Sequence, residues 1–407
     1  MRVLISGGGI AGPALAHWLH RHGIETVVVE RARGPRPGGH AVDVRGAART
    51  VVDRMGLMSA IRAASVDERG FALVDRRGRR TATMPSDLFG GEGIVAEIEI
   101  ARGDLAQILH DDTAPHTEYR FGERITALQP DASGVDVTFA SGARERFDVV
   151  VGADGVHSAV RALAFGPDAD FVDYLGAYTA YFTVPDPGDL DHWFEMYNEP
   201  GGLVAGLRPE NGGTAKASLS FRTPAPDYER ATPDEQRRAL VERLSGAGWR
   251  VPELLAALPA APDFYFDSIN RVRVDTWWRG RVVLLGDAGY CGSPLAGMGT
   301  SMALVGAYVL AGELAAKPPT EAFAAYQERM GAYVEAGTTL PPGGVAGFAP
   351  GKALMIRLRA LSMRSMSHWP MRQLVAKQFG KAEAITLPDY PISAAAPEPC
   401  DGVCFAP

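Results

Sequence analysis

The chain opens on short, unbroken apolar runs. Arg2–Ser6 ("RVLIS") and Glu25–Glu30 ("ETVVVE") read as strands covered on both faces, the kind found in parallel sheets. Between them, Ala11–His22 carries apolar residues at helical spacing, with Pro13 in the first turn and Gly23 placed to end it. Two later stretches repeat that design. "RFDVVVGADGVHSAVRAL" and "GRVVLLGDAGYCGSP" each hold a buried strand that ends in a small residue and an aspartate, Asp154 and Asp287. Elsewhere the rhythm changes. "FALVDRRGRRTATM" predicts a hairpin turning at "RRGR", and "GAYTAYFTVP", "HWFEMYN", "GGLVAGLRP" and "KASLSFRT" predict an antiparallel sheet with aromatics at alternating positions. "TPDEQRRALVERLSGAG" (232–248) predicts a surface helix capped by Thr232. After a break at "PPGG" (341–344), Leu354, Leu358 and Leu361 share one helical face, and Pro370 splits the segment.

Composition narrows the classes. A chain of 407 residues has room for two or three domains, and 46% hydrophobic with 22% charged residues describes a folded soluble protein. A net charge of −7 argues against a general nucleic-acid binder. Three cysteines, Cys291, Cys400 and Cys404, make no disulfide framework. "MRVLIS" runs straight into glycines with no leader-like pattern, and no apolar stretch reaches the roughly 18–20 residues of a bilayer span. A cytoplasmic protein, monomeric or a weak homodimer, is expected. His17, His20 and His22 crowd one helix without a second ligand group, and Cys400 and Cys404 lack a histidine, so no metal site is expected. Lys352 to Lys381 holds seven basic residues and no acid. This stretch reads as a helix bridging the lobes of an acidic body, in preference to a membrane-surface helix.

The first glycine turn carries chemistry. Gly7, Gly9 and Gly12 form G-x-G-x-x-G between strand and helix, where a tight turn brings backbone N–H groups and a helix end against a pyrophosphate. Glu30 ends the next strand, 18 positions beyond Gly12, where an acid can hold a ribose hydroxyl. The fingerprint alone does not separate NAD from FAD. Asp154 and Asp287 lie beyond strand ends, where a ligand of an open α/β sheet sits, although either could instead cap the following helix.

With these elements the sequence resembles the flavin-dependent aromatic hydroxylases of the para-hydroxybenzoate hydroxylase fold. The resemblance rests on the fingerprint ending in Glu30-Arg31, on "DGVHSAVR" (154–161), and on Gly286-Asp287 followed by Pro294, Gly297 and Gly299. Arg102 in "EIARGDLAQIL" resembles the arginine that opens a long helix and reaches the FAD. "GGHAVDVRG" (38–46), with Asp43, resembles the segment lining the isoalloxazine. In style it is nearest to tetracycline-inactivating and polyketide-tailoring monooxygenases. The resemblance implies an α/β FAD-binding Rossmann-like domain of the glutathione-reductase type (1–70, 101–170 and 275–340). It also implies an inserted antiparallel-sheet substrate domain (71–100 and 171–274) and a C-terminal bridging helix and tail (341–407).

The implied roles follow from that family. Glu30 binds the adenosine ribose, Asp287 the ribityl chain, and Asp154 belongs to a motif touching FAD and nicotinamide. Gly7, Gly9, Ile10, Ala11, Gly12, Arg31, Arg36, Asp43, Arg102, Ile125, Pro294, Gly297, Met298, Gly299 and Thr300 complete the expected cofactor set. Tyr181, His192, Trp193, Tyr197, Phe221 and Pro294 are candidate substrate liners. The implied activity is NAD(P)H-driven insertion of one atom of O2 into an aromatic or polycyclic small molecule through a flavin C4a-hydroperoxide. NADPH or NADH acts as a transient reductant, since no second glycine fingerprint is present. No catalytic base is identifiable. A halogenase or reductase of the same fold, an NAD-linked dehydrogenase and a non-catalytic ligand binder are the alternatives; the halogenase "WxWxIP" signature is missing. Two positions depart from the family: Tyr290 where histidine is usual, and Ser301 where asparagine is usual.

Overall fold

A computed structural model describes residues 1–36, 38–88, 95–225, 228, 230–366 and 380–392. Arg2–Ser6 sits centrally in a six-stranded sheet. It pairs in parallel with Glu25–Glu30 on one side and with Val149–Gly152 on the other. Val282–Leu284 then joins in parallel to Val149–Gly152, with Val150 opposite Val282. The apolar runs therefore converge on one sheet although they are spread over most of the chain. Val3, Leu4, Ile5, Val149, Val150, Val151, Val282 and Val283 are all buried. The first helix is Ala11–Arg21, one residue shorter than its spacing predicts, with the chain turning at His22 and Gly23.

A seven-stranded sheet forms the second layer, in the order Tyr265–Val272, Val172–Pro185, Thr214–Arg222, Leu203–Pro209, Trp193–Glu199, Gly70–Val74 and Arg80–Pro85. The predicted hairpin is its edge, Gly70–Val74 with Arg80–Pro85. One pairing departs from the antiparallel expectation: Trp193–Glu199 runs parallel to Gly70–Val74. That contact stitches two distant chain segments into one sheet. Even-numbered residues of Val172–Pro185 (Tyr178, Ala180, Phe182) pack under the helices Pro233–Leu244 and Val251–Ala257 with Ala217, Leu219 and Phe221. The first of these helices carries a full capping box, Thr232 with Glu235, as its sequence signals.

The helix Gly299–Ala316 crosses the core. By length and composition, 18 residues, it would pass for a membrane span, contrary to the sequence expectation. Interspersed glycine, threonine and serine break up its apolar run. Of its span, 78% is buried inside the fold, so it is the core helix of a globular protein.

The C-terminal helix Ala353–Met366 packs on the strands Arg80–Pro85 and Trp193–Glu199. Its leucine face is not the packed one: Leu354, Leu358 and Leu361 stay exposed, while Met363 is buried and Arg359 and Ala360 are partly covered. From there the chain reaches back to the parallel half. Tyr390 donates to Glu313 at 2.7 Å, and Asp389 pairs with Arg54. Pro370, Cys400 and Cys404 lie outside the described residues.

Candidate active site

The glycine turn is built by close approach. A Cβ on Gly12 would lie 2.0 Å from the Gly7 carbonyl oxygen, so helix and strand can meet only if that position is bare. Gly7 has φ +115° and lies against Ala153, the residue before Asp154. Ile10 precedes the helix without a side-chain cap, which leaves the first N–H groups, beginning at Ala11, to an outside acceptor. The Glu30 carboxylate accepts from Gly8 N at 2.9 Å and from Ala32 N at 2.8 Å, which fixes it at the rim of the turn. Arg36 lies 3.8 Å from Glu30, and Arg31 is exposed.

The two aspartates at strand ends have different tasks. Asp154 accepts from Ser158 Oγ at 2.5 Å, from Ala159 N at 2.8 Å and from Val160 N at 3.2 Å. It is committed to the start of the helix Ala159–Ala164, so the capping alternative describes its geometry. Burial pushes its pKa up, against those hydrogen bonds. Asp287 holds no helix N–H. Its hydrogen bond is to the Cys291 thiol, and burial is the largest influence, raising its pKa. A desolvated carboxylate with so few donors is ready to accept hydroxyl donors from a ligand.

Arg102 opens the helix Arg102–Thr113, tied by its backbone N–H to the His40 carbonyl at 3.1 Å. Its guanidinium lies 3.2 Å from where a Cβ on Gly9 would stand. Among the described residues it makes no ion pair, and it acts on Asp287, His40 and Tyr265 alike. An unpaired cation facing a glycine turn and an open helix N-terminus marks a place for an anion.

On the far side of Asp287, the turn Pro294–Ala296 leads through Gly297 (φ +66°) and Met298 into the helix beginning at Gly299 and Thr300. Asp43 Oδ2 comes within 4.0 Å of a Cβ on Gly297, and Asp287 Oδ1 within 3.6 Å of one on Gly299. Asp43 pairs with Arg45, whose backbone N–H donates to Ser301 Oγ at 3.3 Å. The departure at Ser301 thus fastens the 38–46 segment to the helix. That at Tyr290 is a core feature: its hydroxyl meets that of Tyr326 at 2.6 Å, and burial pushes its pKa up to about 12. Ile125 is sealed in the apolar core.

Of the substrate candidates on the sheet, Tyr181 alone faces this cleft. Its ring stacks on His40 with centroids 4.8 Å apart. Tyr197 and Phe221 are on the opposite face, in the core beneath the helices. Trp193, on the same side of its strand as Tyr197, meets Arg80, and His192 sits in a turn (φ +62°) bonded to the Asp67 carbonyl. The correction has a simple cause: on a strand, one residue of offset turns a side chain to the other face. A cleft of about 530 Å³ lined by Arg76, Arg80, Asp189, Glu195, Trp249 and Arg250 also belongs to that outer side.

Several site residues escaped the sequence. His40 keeps exposed surface yet is desolvated; burial, with Arg102, Arg208 and Lys216 nearby, holds its pKa down to about 4, so the ring is neutral. Arg208 grips Glu68 at 2.6 and 2.9 Å and lies 2.8 Å from Glu99. Burial raises Glu68 to about 7, beyond what Arg208 recovers. Lys216 pairs with Asp263 at 2.7 Å. His157, in the "DGVHSAVR" segment, reaches Asp267 on the sheet at 3.0 Å. His40 and His157 lie within the segments 38–46 and 154–161, which do not by themselves mark either residue; Arg208 and Lys216 belong to no contiguous motif, and their only signal is charge at alternating strand positions. Among the described residues, no cluster is arranged for a metal.

The match to the family described as "FAD binding domain" covers residues 1–335. The chain is 42% identical over 354 residues to the uncharacterized protein Rv1260 of Mycobacterium tuberculosis, covering 86% of this chain and 94% of that protein. It is 35% identical over 347 residues to a flavin-dependent monooxygenase of Legionella longbeachae, covering 83% and 86%. Among solved structures, tetracycline destructase Tet(55) superposes with a TM-score of 0.79 at 33% identity, over 95% of this chain and 98% of that one. Klebsiella pneumoniae HpxO, complexed with FAD and uric acid, shares the fold at 22% identity and a TM-score of 0.69, over 94% and 92%.

Proposed function

The chain belongs to the FAD-dependent monooxygenases, and on that premise we propose that it takes electrons from NADPH or NADH and places one atom of O2 into an aromatic or polycyclic small molecule. The observation that carries the reading is the uncompensated Arg102 between the glycine turn and Asp287. A dinucleotide laid through this cleft fits the residues present. Glu30 would hold the adenosine ribose, Arg102 and the N–H groups after Gly9 the pyrophosphate, and Asp287 the ribityl hydroxyls. Asp43, Arg45 and the Gly297–Thr300 turn would border the ring.

Bound FAD supplies the redox chemistry, and the protein supplies binding, orientation and electrostatics. The N-terminal end of the helix Gly299–Ala316 places partial positive charge where the ring would carry negative charge. The seven-stranded sheet lies over the cleft, with Tyr181 and the neutral His40 offering a flat, uncharged contact to an aromatic substrate. A relative that is a tetracycline destructase supports a fused-ring substrate.

The test is an absorption spectrum of the purified protein, followed by anaerobic NADPH or NADH. A yellow protein bleached by the nicotinamide, faster with polycyclic phenols present, is the expected result. A yellow protein that neither nicotinamide bleaches would point to a partner reductase or a halogenase-like system. A colourless protein that cannot be reconstituted with FAD would overturn the reading.

A further inference from the structure

Among the described residues, the cations most withdrawn from water are paired with acids. Arg45 has Asp43, Arg161 has Asp168, Arg208 has Glu68 and Glu99, and Lys216 has Asp263 and Glu210. Arg359 breaks the pattern. Its Nη1 donates to Asn198 Oδ1 at 2.6 Å and to the Phe348 carbonyl at 3.1 Å, and its Nη2 meets only the Met196 thioether at 3.5 Å. Among the described residues no carboxylate reaches it, and burial alone brings its pKa down to about 10, so it keeps its charge at neutral pH. The Nε–Nη2 edge, the side of a guanidinium that takes a carboxylate in two parallel hydrogen bonds, has no oxygen acceptor. Arg359 is only partly covered, so in the free protein that edge is open to water.

Its place in the fold says what could fill that edge. Across the cleft-facing side of the sheet, Tyr181 is opposite Ser218, Ser218 opposite Gly206, and Gly206 opposite Met196. This row begins at the His40–Tyr181 stack and ends at the sulfur that touches Arg359. Its middle residues are small, and the Phe194 ring covers Gly206 with the Arg208 guanidinium 5.3 Å from the ring centre. Three inter-strand steps span about 14 Å, roughly the length of three or four fused rings. Phe348, whose carbonyl Arg359 holds, packs in one cluster with Leu295 beside Pro294.

We propose that Arg359 is a specificity-determining residue that binds a carboxylate at the end of the substrate remote from the His40–Tyr181 stack, so that the substrate class is an acidic fused-ring aromatic. This rests on the monooxygenase reading above. The test is calorimetric titration of the FAD-loaded protein with anthraquinone-2-carboxylate and with its uncharged carboxamide. The wild type should bind the carboxylate at least tenfold more tightly. R359M should erase that preference while binding the amide as the wild type does, which shows the cleft intact, and R359K should restore part of it. Equal affinity of the wild type for the two probes, or a tenfold preference surviving in R359M, overturns the proposal and leaves the monooxygenase reading standing. Failure of both probes to bind, in a protein that holds FAD, removes the polycyclic substrate and this inference together.

Discussion

The parallel sheet and the seven-stranded sheet handle polar chemistry in opposite ways. Strands such as Val149–Gly152 and Val282–Leu284 are buried on both faces and carry nothing polar along their length. Whatever they contribute must come after they end, at Asp154 and Asp287. Strand Thr214–Arg222 instead buries Ala215, Ala217, Leu219 and Phe221 under helices and turns Lys216, Ser218 and Ser220 towards the cleft. One sheet concentrates function into short loops; the other spreads it over a face. The first design leaves motifs, and the second leaves isolated residues at every other position.

The sharpest way to break this comparison is at the glycine turn. Gly12→Val puts a side chain where 2.0 Å is free, and the protein should emerge without flavin, read from its visible absorbance. On the other sheet, Phe221→Ala should cost about 3–5 kcal/mol in urea unfolding, with FAD retention unchanged in the folded fraction. A Phe221 variant that folds normally but loses substrate binding would move that residue back to the cleft. Asp287→Ala should weaken FAD retention by about tenfold or more, the loss of hydrogen bonds to a charged group, with little change in unfolding. Asp154→Ala should do the reverse, costing about 1–2 kcal/mol as a lost helix cap and leaving FAD bound. If the two aspartates exchange these phenotypes, the assignment of their tasks is wrong.

A pH profile tests the face that bears the charges. Glu68 has its folded pKa raised to about 7 by burial, so the folded chain holds a proton there that the unfolded chain releases. Stability from this group is complete below the ordinary carboxylate range and is lost as pH rises through about 7. The slope is up to about 1.4 kcal/mol per pH unit. Glu68→Gln should flatten it. An unchanged profile would mean that the proton resides elsewhere in the Arg208 network.

These contrasts also explain what could be read in advance. The turn at Gly7–Gly12, Glu30, Arg102, Asp287 and the Pro294–Thr300 loop are legible because each lies at a strand or helix end and needs a particular residue type there. The sheet's existence is legible from its alternation. Its orientation is not: the pattern in "KASLSFRT" says that Phe221 and Lys216 face opposite ways, but both faces of this sheet are covered, so burial does not identify the cleft side. His40 and Arg359 were missed for another reason. Their meaning comes from partners far along the chain, Tyr181 for the one and Met196 and Asn198 for the other.

The order of strands in the parallel sheet also sets a timetable for synthesis. Arg2–Ser6 is among the first residues made, yet one neighbour, Val149–Gly152, arrives about 150 residues later, and the next strand out only at Val282. At roughly 5–20 residues per second, the stretch between Val149–Gly152 and Val282 takes on the order of 6–26 seconds to make before that edge can close. During that interval the strand Val149–Gly152 has an open, wholly apolar side, while the intervening roof can already assemble from local hairpins. Asp287 and the helix behind it come later still. Folding of this protein therefore finishes where its cofactor binds, and FAD supplied during synthesis should raise the yield of native chain more than FAD added afterwards.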